Sequence, residues 1–281
     1  MSNDNNQKKQ ELVDKIIHTT RRGGGKWVGD FEQFARLFFL NVSPLDCAEA
    51  ADGCLHGAVS SLWQFAQTRK SGIKKIRVFN PSKKKDGWAC GHTVVEIIND
   101  DMPFLVDSIC AELNQQNLAV HLIIHPVIST KRSAAGKLSH IAKNNGAADT
   151  ATESVMHIQI TKQDNADLLK TLVKSLEKIL HDVRTAVEDW EPMRARIADV
   201  IAELDSTLAN ANVAKDDIDE STAFLHWLDD NNFTFLGYRD YEYKGGTKKQ
   251  TLTIIPRSGL GLLRNNKAAV IEGIATGAII P

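Results

Sequence analysis

The chain has 281 residues, 42% of them hydrophobic and 25% charged, with a formal net charge of -1 and an isoelectric point near 6.8. This is an ordinary globular composition with room for two or so domains. It lacks the basic surplus expected of a nucleic-acid-binding domain, and no apolar run approaches the roughly 20 residues that cross a bilayer.

The opening segment, MSNDNNQKKQELVDKI, has no apolar signal-peptide core, so the expected compartment is the cytoplasm. Apolar spacing predicts a short helix over 11–18, and residues 21–26 (RRGGGK) then break the chain. Asp30 is the expected N-cap of a helix over 30–40, with Gln33 completing a capping box. Ser43 and Pro44 open a third helix that is expected to run to about Arg69. Its apolar stripe is Leu45, Ala48, Cys54, Leu55, Ala58, Val59, Leu62 and Phe65. The cysteines (Cys47, Cys54, Cys90, Cys110) form no C-x-x-C pair and are expected to be reduced and buried. Cys47 and Cys54 are seven apart, which on one helix puts them on one face.

From residue 73 the period changes to that of strands. Strands are predicted over 73–79 and 92–98, separated by a polar SKKKDG loop at 82–87. A helix follows over 104–117 with Leu105, Ile109 and Leu113 in one row, then a long strand over 118–128. Residues 129–152, rich in Ser, Ala, Gly, Asn and Lys, are expected to be an exposed loop. A strand over 154–161, a strongly periodic helix over 165–181 and an alternating strand-like stretch over 183–189 complete the set. Residues 92–189 therefore read β-α-β-β-α-β: an α+β, ferredoxin-like unit with two helices on one face of an antiparallel four-stranded sheet. The other face must be polar, or meet another sheet, or be covered by other parts of the chain; if it stays open and apolar, it calls for a second subunit.

Beyond this unit, helices are expected over 192–210 and 221–229. An aromatic strand over 233–243 turns at Gly245-Gly246 into a second strand over 250–255. The expected divisions are an N-terminal helical segment (1–72), the βαββαβ domain (73–190), connecting helices (191–230) and the start of a second β-containing domain (231–281). The last residues, AVIEGIATGAIIP, are apolar to the end, which leads us to expect a piece of a longer protein.

No dinucleotide fingerprint is present. Gly23, Gly24 and Gly25 follow a helix instead of a strand, and after Gly259 and Gly261 the third glycine position is Arg264. There is no P-loop, and no residue is singled out as catalytic. His121 and His125 have a spacing that suits zinc on a helix, but in a β-branched run they lie ~13 Å apart, so they and His157 read as sheet histidines and no metal is expected. Lys83, Lys84 and Lys85 read as a solvated loop in preference to an anion site. Asp100, Asp101 and Asp107 lack calcium-loop spacing. The turn made by Asn99, Asp100, Asp101, Met102, Pro103 and Phe104 joins a strand end to a helix start. There, unpaired N–H groups and a partial positive charge can receive a ligand carboxylate. An ordinary capped turn is the plainer reading of the spacing alone.

Several segments resemble, in order, the N-terminal region of the large NAD-specific glutamate dehydrogenases. They are DMPFLVDS at 101–108, LAVHLIIHP at 118–126, ESVMHI at 153–158, VEDW at 187–190, FLHWL at 224–228 leading into FTFLGY at 233–238, and SGLGLLR at 258–264. The resemblance spans most of 28–264. It implies that the βαββαβ unit is an ACT-like domain of a much longer, homo-oligomeric protein. The downstream catalytic domain of such a protein converts L-glutamate and NAD to 2-oxoglutarate, ammonia and NADH. This segment would then be a regulatory and assembly region, inactive by itself and without a cofactor, NAD belonging to the parent protein. ACT domains often bind an amino-acid effector at the first strand-to-helix loop, with a D-x-P-G pattern. Here Asp101, Met102 and Pro103 are followed by Phe104 where glycine would stand. The resemblance makes Asn99, Asp100, Asp101, Met102, Pro103, Phe104 and His121 the candidate ligand residues, with purely architectural pairing as the other role. A free-standing ACT-type sensor or interaction module is the alternative for the whole chain.

Overall fold

The computed structural model describes residues 2–22, 28–49, 53–142, 149–207, 214–244 and 251–265. The glycine-rich break at 23–27, the Gly245-Gly246 turn, residues 208–210 of the expected 192–210 helix and the apolar end at 266–281 lie outside them. The chain divides into two compact units, 1–180 and 181–281.

The first unit begins with helices α1 (Ser2–Arg22), α2 (Val28–Leu40), α3 (Pro44–Glu49) and α4 (Cys54–Ala66). The single helix expected over 43–69 is thus two. Gly53, at φ +80, opens α4 in the left-handed region that glycine enters without a Cβ penalty, so Cys47 and Cys54 sit on separate helices. Asp30 is not a cap, because α2 starts two residues before it. Its carboxylate instead accepts from the Ile141 N–H at 3.0 Å, and Gln33 donates to the Ala142 carbonyl at 2.6 Å. Phe31, Phe34, Phe38 and Phe39 of α2 are buried with Val13, Ile16 and Ile17 of α1 and the Leu55, Ala58, Val59, Leu62 row of α4. Each phenylalanine so buried contributes on the order of 2 kcal/mol.

These helices cover a sheet made of β1 (Lys75–Phe79), β2 (Thr93–Asp100), β3 (Val120–Ile124), β4 (Val127–Arg132), β5 (Leu138–Ile141) and β6 (Ala151–Ile160). Its order is β1-β2-β6-β4-β5, with β3 also paired to β6, all antiparallel. Period-two alternation sorts the side chains. Val94, Ile98, Val155, Ile124 and Ile128 join the core with α1, α2 and α4. Val95, Ile97, Met156, Ile158 and Ile160 are buried on the opposite face. That face is the one left for α6 (Leu105–Gln115) and α7 (Ala166–Glu188), whose Leu105, Ile109, Leu113, Leu172, Leu176 and Leu180 are all buried.

The fold is the expected α+β, ACT/ferredoxin-like class, with several corrections. Residues 183–189 are not a strand: α7 continues to Glu188, because Val183 and Ala186 extend its buried row. The sheet position beside the first strand, which a closing strand takes in βαββαβ, is filled from the other side of the sequence by β1. The expected loop over 129–152 holds, in its described residues 129–142 and 149–152, most of the β4–β5 hairpin and the start of β6. Ser129, Thr130, Leu138 and Ile141 are buried there, and Gly136 turns the hairpin at φ +81. The strand expected over 118–128 breaks at Pro126, which has no N–H to give the ladder; its carbonyl accepts from Val155 at 3.0 Å instead. The SKKKDG loop carries one short turn of helix, α5 (Lys83–Asp86), capped by Ser82. The second sheet face is therefore covered by this chain's own N-terminal helices, and the open face that would have called for a second subunit is absent.

The second unit contains α8 (Trp190–Thr207), α9 (Lys215–Trp227) and a π turn (Leu228–Asn232). It also holds two small antiparallel pairs: β7 (Gly237–Tyr238) with β10 (Leu260–Gly261), and β8 (Tyr241–Lys244) with β9 (Thr251–Ile254). Gly261 sits at φ +57, where an added Cβ would lie 2.3 Å from the Leu236 carbonyl oxygen. The SGLGLLR glycines thus serve backbone approach in a turn and not a phosphate.

Candidate functional site

β2 is buried along its length except at Asp100, its last residue. The Asp101 N–H ends the pairing by donating to the Thr152 carbonyl at 3.0 Å. Two residues later Pro103 bars a ladder bond, and α6 starts at Leu105. Phe104 stands before it at φ +67 without a side-chain cap, its ring half exposed. A non-glycine residue in this region costs about 1–2 kcal/mol, so Phe104 occupies glycine's conformation as well as glycine's place in the D-x-P-G pattern.

Beneath the turn lies a cluster of charges. Arg69, just after α4, has a side chain only 1% exposed. It donates to Asp100 at 2.5 Å, to Glu153 at 3.0 Å and to the Ile73 carbonyl at 2.9 Å. Arg132 of β4 grips the same Glu153 with two bonds of 2.6 and 2.7 Å. Two guanidinium groups and two carboxylates thus neutralise each other at the edge of the core. This arrangement tolerates burial because both charges and hydrogen-bonding capacity are matched. Asp100 is committed to Arg69, and Asn99 is fully buried with its amide on the Asp100 carbonyl at 3.1 Å. Of the expected ligand residues, Asp101, Pro103 and Phe104 are exposed and Met102 is half-buried.

His121 does not join this turn. Its neighbour Val120 pairs with Ile160, which also faces Thr93, while Asn99 faces Ser154. Six residues of β2 separate the two ends, ~20 Å at strand spacing. A register shift between Val120 and Leu122 places His121 at a bulge, where its ring lies 4.5 Å from that of His92 and its Nε2 3.3 Å from the Thr161 hydroxyl. The histidine at the turn is His125. It is half-buried, with Nε2 on the Ser154 hydroxyl. Burial holds its pKa below the ordinary histidine value, only partly opposed by the nearby Asp101 carboxylate, so it is neutral at pH 7. Sequence reading missed Arg69, Arg132 and Glu153. The available signal was Glu153, an acid just before the expected strand over 154–161, where burial calls for a cationic partner.

Among the described residues no cluster of His, Cys, Asp and Glu could hold a metal ion. None of the described helices is long and apolar enough to cross a membrane. The geometry offers a neutralised base and, beside it, Asp101, His125 and the start of α6.

An antiparallel sheet of this order, with α6 and α7 on one face, defines an ACT-like domain. The family described as glutamate dehydrogenase, ACT1 domain, matches residues 34–176, just over half the chain, and the chain belongs to that family. The match begins within α2, so α4 and the second half of α2 lie inside the family unit and α1 precedes it. The chain is 37% identical over 248 residues to the NAD-specific glutamate dehydrogenase of Halomonas elongata. It is 33% identical over 248 residues to that of Pseudomonas aeruginosa, and 26% over 203 residues to that of Mycobacterium tuberculosis. These alignments cover 88%, 88% and 72% of this chain but only 15%, 15% and 12% of the relatives, so the chain corresponds to a small part of their length.

Proposed function

We propose that this chain is the N-terminal regulatory and assembly region of a cytoplasmic, homo-oligomeric NAD-dependent glutamate dehydrogenase, and that it carries no catalytic group itself. The observation that carries this reading is the ACT1-domain match over residues 34–176, supported by relatives named as NAD-specific glutamate dehydrogenases. In this reading hydride transfer from glutamate to NAD belongs to a catalytic domain elsewhere in the same polypeptide, and the boundaries after residues 72, 190 and 230 separate four modules of the regulatory region. An amino-acid effector would place its carboxylate at the turn of Asn99, Asp100, Asp101, Met102, Pro103 and Phe104, against the N–H groups that open α6. His121 would serve a different contact, at the far end of the sheet.

The test has two arms. The 281-residue chain, given glutamate and NAD, should form no NADH above background; clear turnover refutes the non-catalytic assignment. Calorimetry with a panel of amino acids should show saturable heat that Asp101→Ala weakens. No heat at millimolar concentration removes the effector from the proposal and leaves assembly as the role.

A further inference from the structure

A cleft of about 410 Å³ opens between α4, β1 and the α5 turn, away from the 99–104 turn. That is within the size range of small-molecule sites. Its floor is Arg77, whose orientation is fixed from three sides. Nε donates to the fully buried Glu96 carboxylate at 2.6 Å, and Nη2 donates to the Ser61 carbonyl at 3.0 Å and its hydroxyl at 2.7 Å. The guanidinium carbon lies 4.5 Å and 4.6 Å from the ring centroids of Phe65 and Phe79. Nη1 has no hydrogen-bond partner among the described residues. Lys83 and Lys85 stand exposed on the rim and make no ion pair there. Asp86, the one carboxylate among the described residues of the lining, accepts from the Ser82 N–H at 2.8 Å.

One wall is Trp88, 7% exposed, whose indole N–H is buried and unbonded among the described residues. A buried donor left unpaired is costly and uncommon in native structures. The wall is also built closely: a Cβ on Gly57 would lie 2.3 Å from the Trp88 ring, so only glycine on α4 admits the indole. His56, also in the lining, is held below its ordinary pKa by burial and by the positive charge of Lys15. Among the described residues the cleft therefore presents oriented donors and cations, with Asp86 turned away.

We propose that this cleft is a binding site for a small oxyanion-bearing metabolite, whose phosphate or carboxylate groups meet Arg77, Lys83 and Lys85 against the Trp88 wall. Guanidinium and ammonium donors favour such oxyanions through charge-assisted hydrogen bonds. The assignment does not depend on the regulatory reading, since it rests on the cleft and is read as binding, not as enzyme activity.

The test is calorimetry of the full 281-residue chain at fixed ionic strength, with inorganic phosphate in one arm and succinate in the other. Saturable one-to-one binding is expected in at least one arm. Heat in the phosphate arm alone identifies a phosphate-bearing ligand, and heat in the succinate arm alone a carboxylate-bearing one. Lys83→Ala combined with Lys85→Ala should weaken binding roughly tenfold or more. Both side chains are exposed and make no ion pair among the described residues, so the fold is spared. Lys84→Ala, next to them but outside the lining, should bind as the wild type does. No saturable heat in either arm overturns the proposal, and so does an equal loss in Lys84→Ala, which would reduce the effect to the general charge of the turn.

Discussion

The Arg69 guanidinium and the Glu153 carboxylate, 84 residues apart in the chain, meet at 3.0 Å with side chains each 1% exposed. Through this contact the end of the N-terminal helical layer is fixed to the central strand of the sheet, at the turn where an ACT-type effector would bind. Breaking a buried pair leaves the surviving charge without compensation. Glu153→Gln removes the negative charge shared by Arg69 and Arg132 and turns one of the two acceptor oxygens into an N–H donor, and it should destabilise the chain by about 3 kcal/mol. Urea unfolding should show the midpoint falling with the slope unchanged; a shift below about 1 kcal/mol would mean that solvent reaches the cluster.

Phe104 holds a left-handed conformation with its ring half exposed. Replacing it with glycine relieves the Cβ strain and sacrifices little burial, although glycine adds entropy to the unfolded chain. Phe104→Gly should therefore leave stability unchanged or raise it by up to about 1 kcal/mol. Thermal unfolding reads this directly, and a drop in Tm of several degrees would show that the ring packs more firmly than its exposure indicates.

Asp189 accepts from Arg264 at 2.6 and 2.9 Å and from the Gly261 N–H at 2.7 Å, tying the start of α8 to the SGLGLLR turn. The Arg264 guanidinium beside it holds its pKa below the usual 3.8. The folded state then binds fewer protons than the unfolded one in this range. The stabilisation is complete above the unfolded value and is lost as pH falls through the lower folded value. Asp189→Asn should cost on the order of 2 kcal/mol at pH 7, and the cost should shrink at a pH well below the usual 3.8. Parallel urea curves at the two pH values measure the difference; an equal loss at both would assign the effect to packing.

The neighbouring Cys54 thiol lowers the Cys90 pKa to about 7 against the opposing effect of burial, and the Cys90 Sγ lies 3.4 Å from the His92 carbonyl. Cys54 is pushed upward by Cys90 and by burial. Since the thiolate is the nucleophile, Cys90 should alkylate fastest of the four cysteines at pH 7, with a rate that rises through about pH 7. Cys54→Ala should move that rise upward by a unit or more. Peptide-mapped iodoacetamide labelling checks both; if Cys47 or Cys110 labelled first, the neighbouring pair would be excluded as the reactive one.

Much of this molecule was readable as periodicity. The Leu105, Ile109, Leu113 row and the Leu172, Leu176, Leu180 row are helical, and both lie in the core. The alternation of 154–161 is a strand, and it became the centre of the sheet. The same rule failed at 183–189, where a seven-residue stretch satisfies both a period of two and one of 3.6. It failed again at 127–141, where strand residues such as Ser129, Thr130 and Lys131 have loop-like composition and are ordered by pairing with β5 and β6. The candidate turn was legible from Asp101 and Pro103. Its partner histidine was not, because a bulge at His121 and the break at Pro126 change which histidine reaches the turn.

Local order along the chain was thus enough to specify the α+β class, the main strands and helices, and the family, since side-chain period and turn chemistry act between near neighbours. Only the folded arrangement decided that β1 takes the position beside β2, that α1, α2 and α4 cover the second sheet face, and that Arg77, Lys83, Lys85 and Trp88 share one cleft. Those outcomes depend on contacts between residues far apart in sequence. There, burial of apolar area and the pairing of buried charges select one arrangement among several that local preference allows equally.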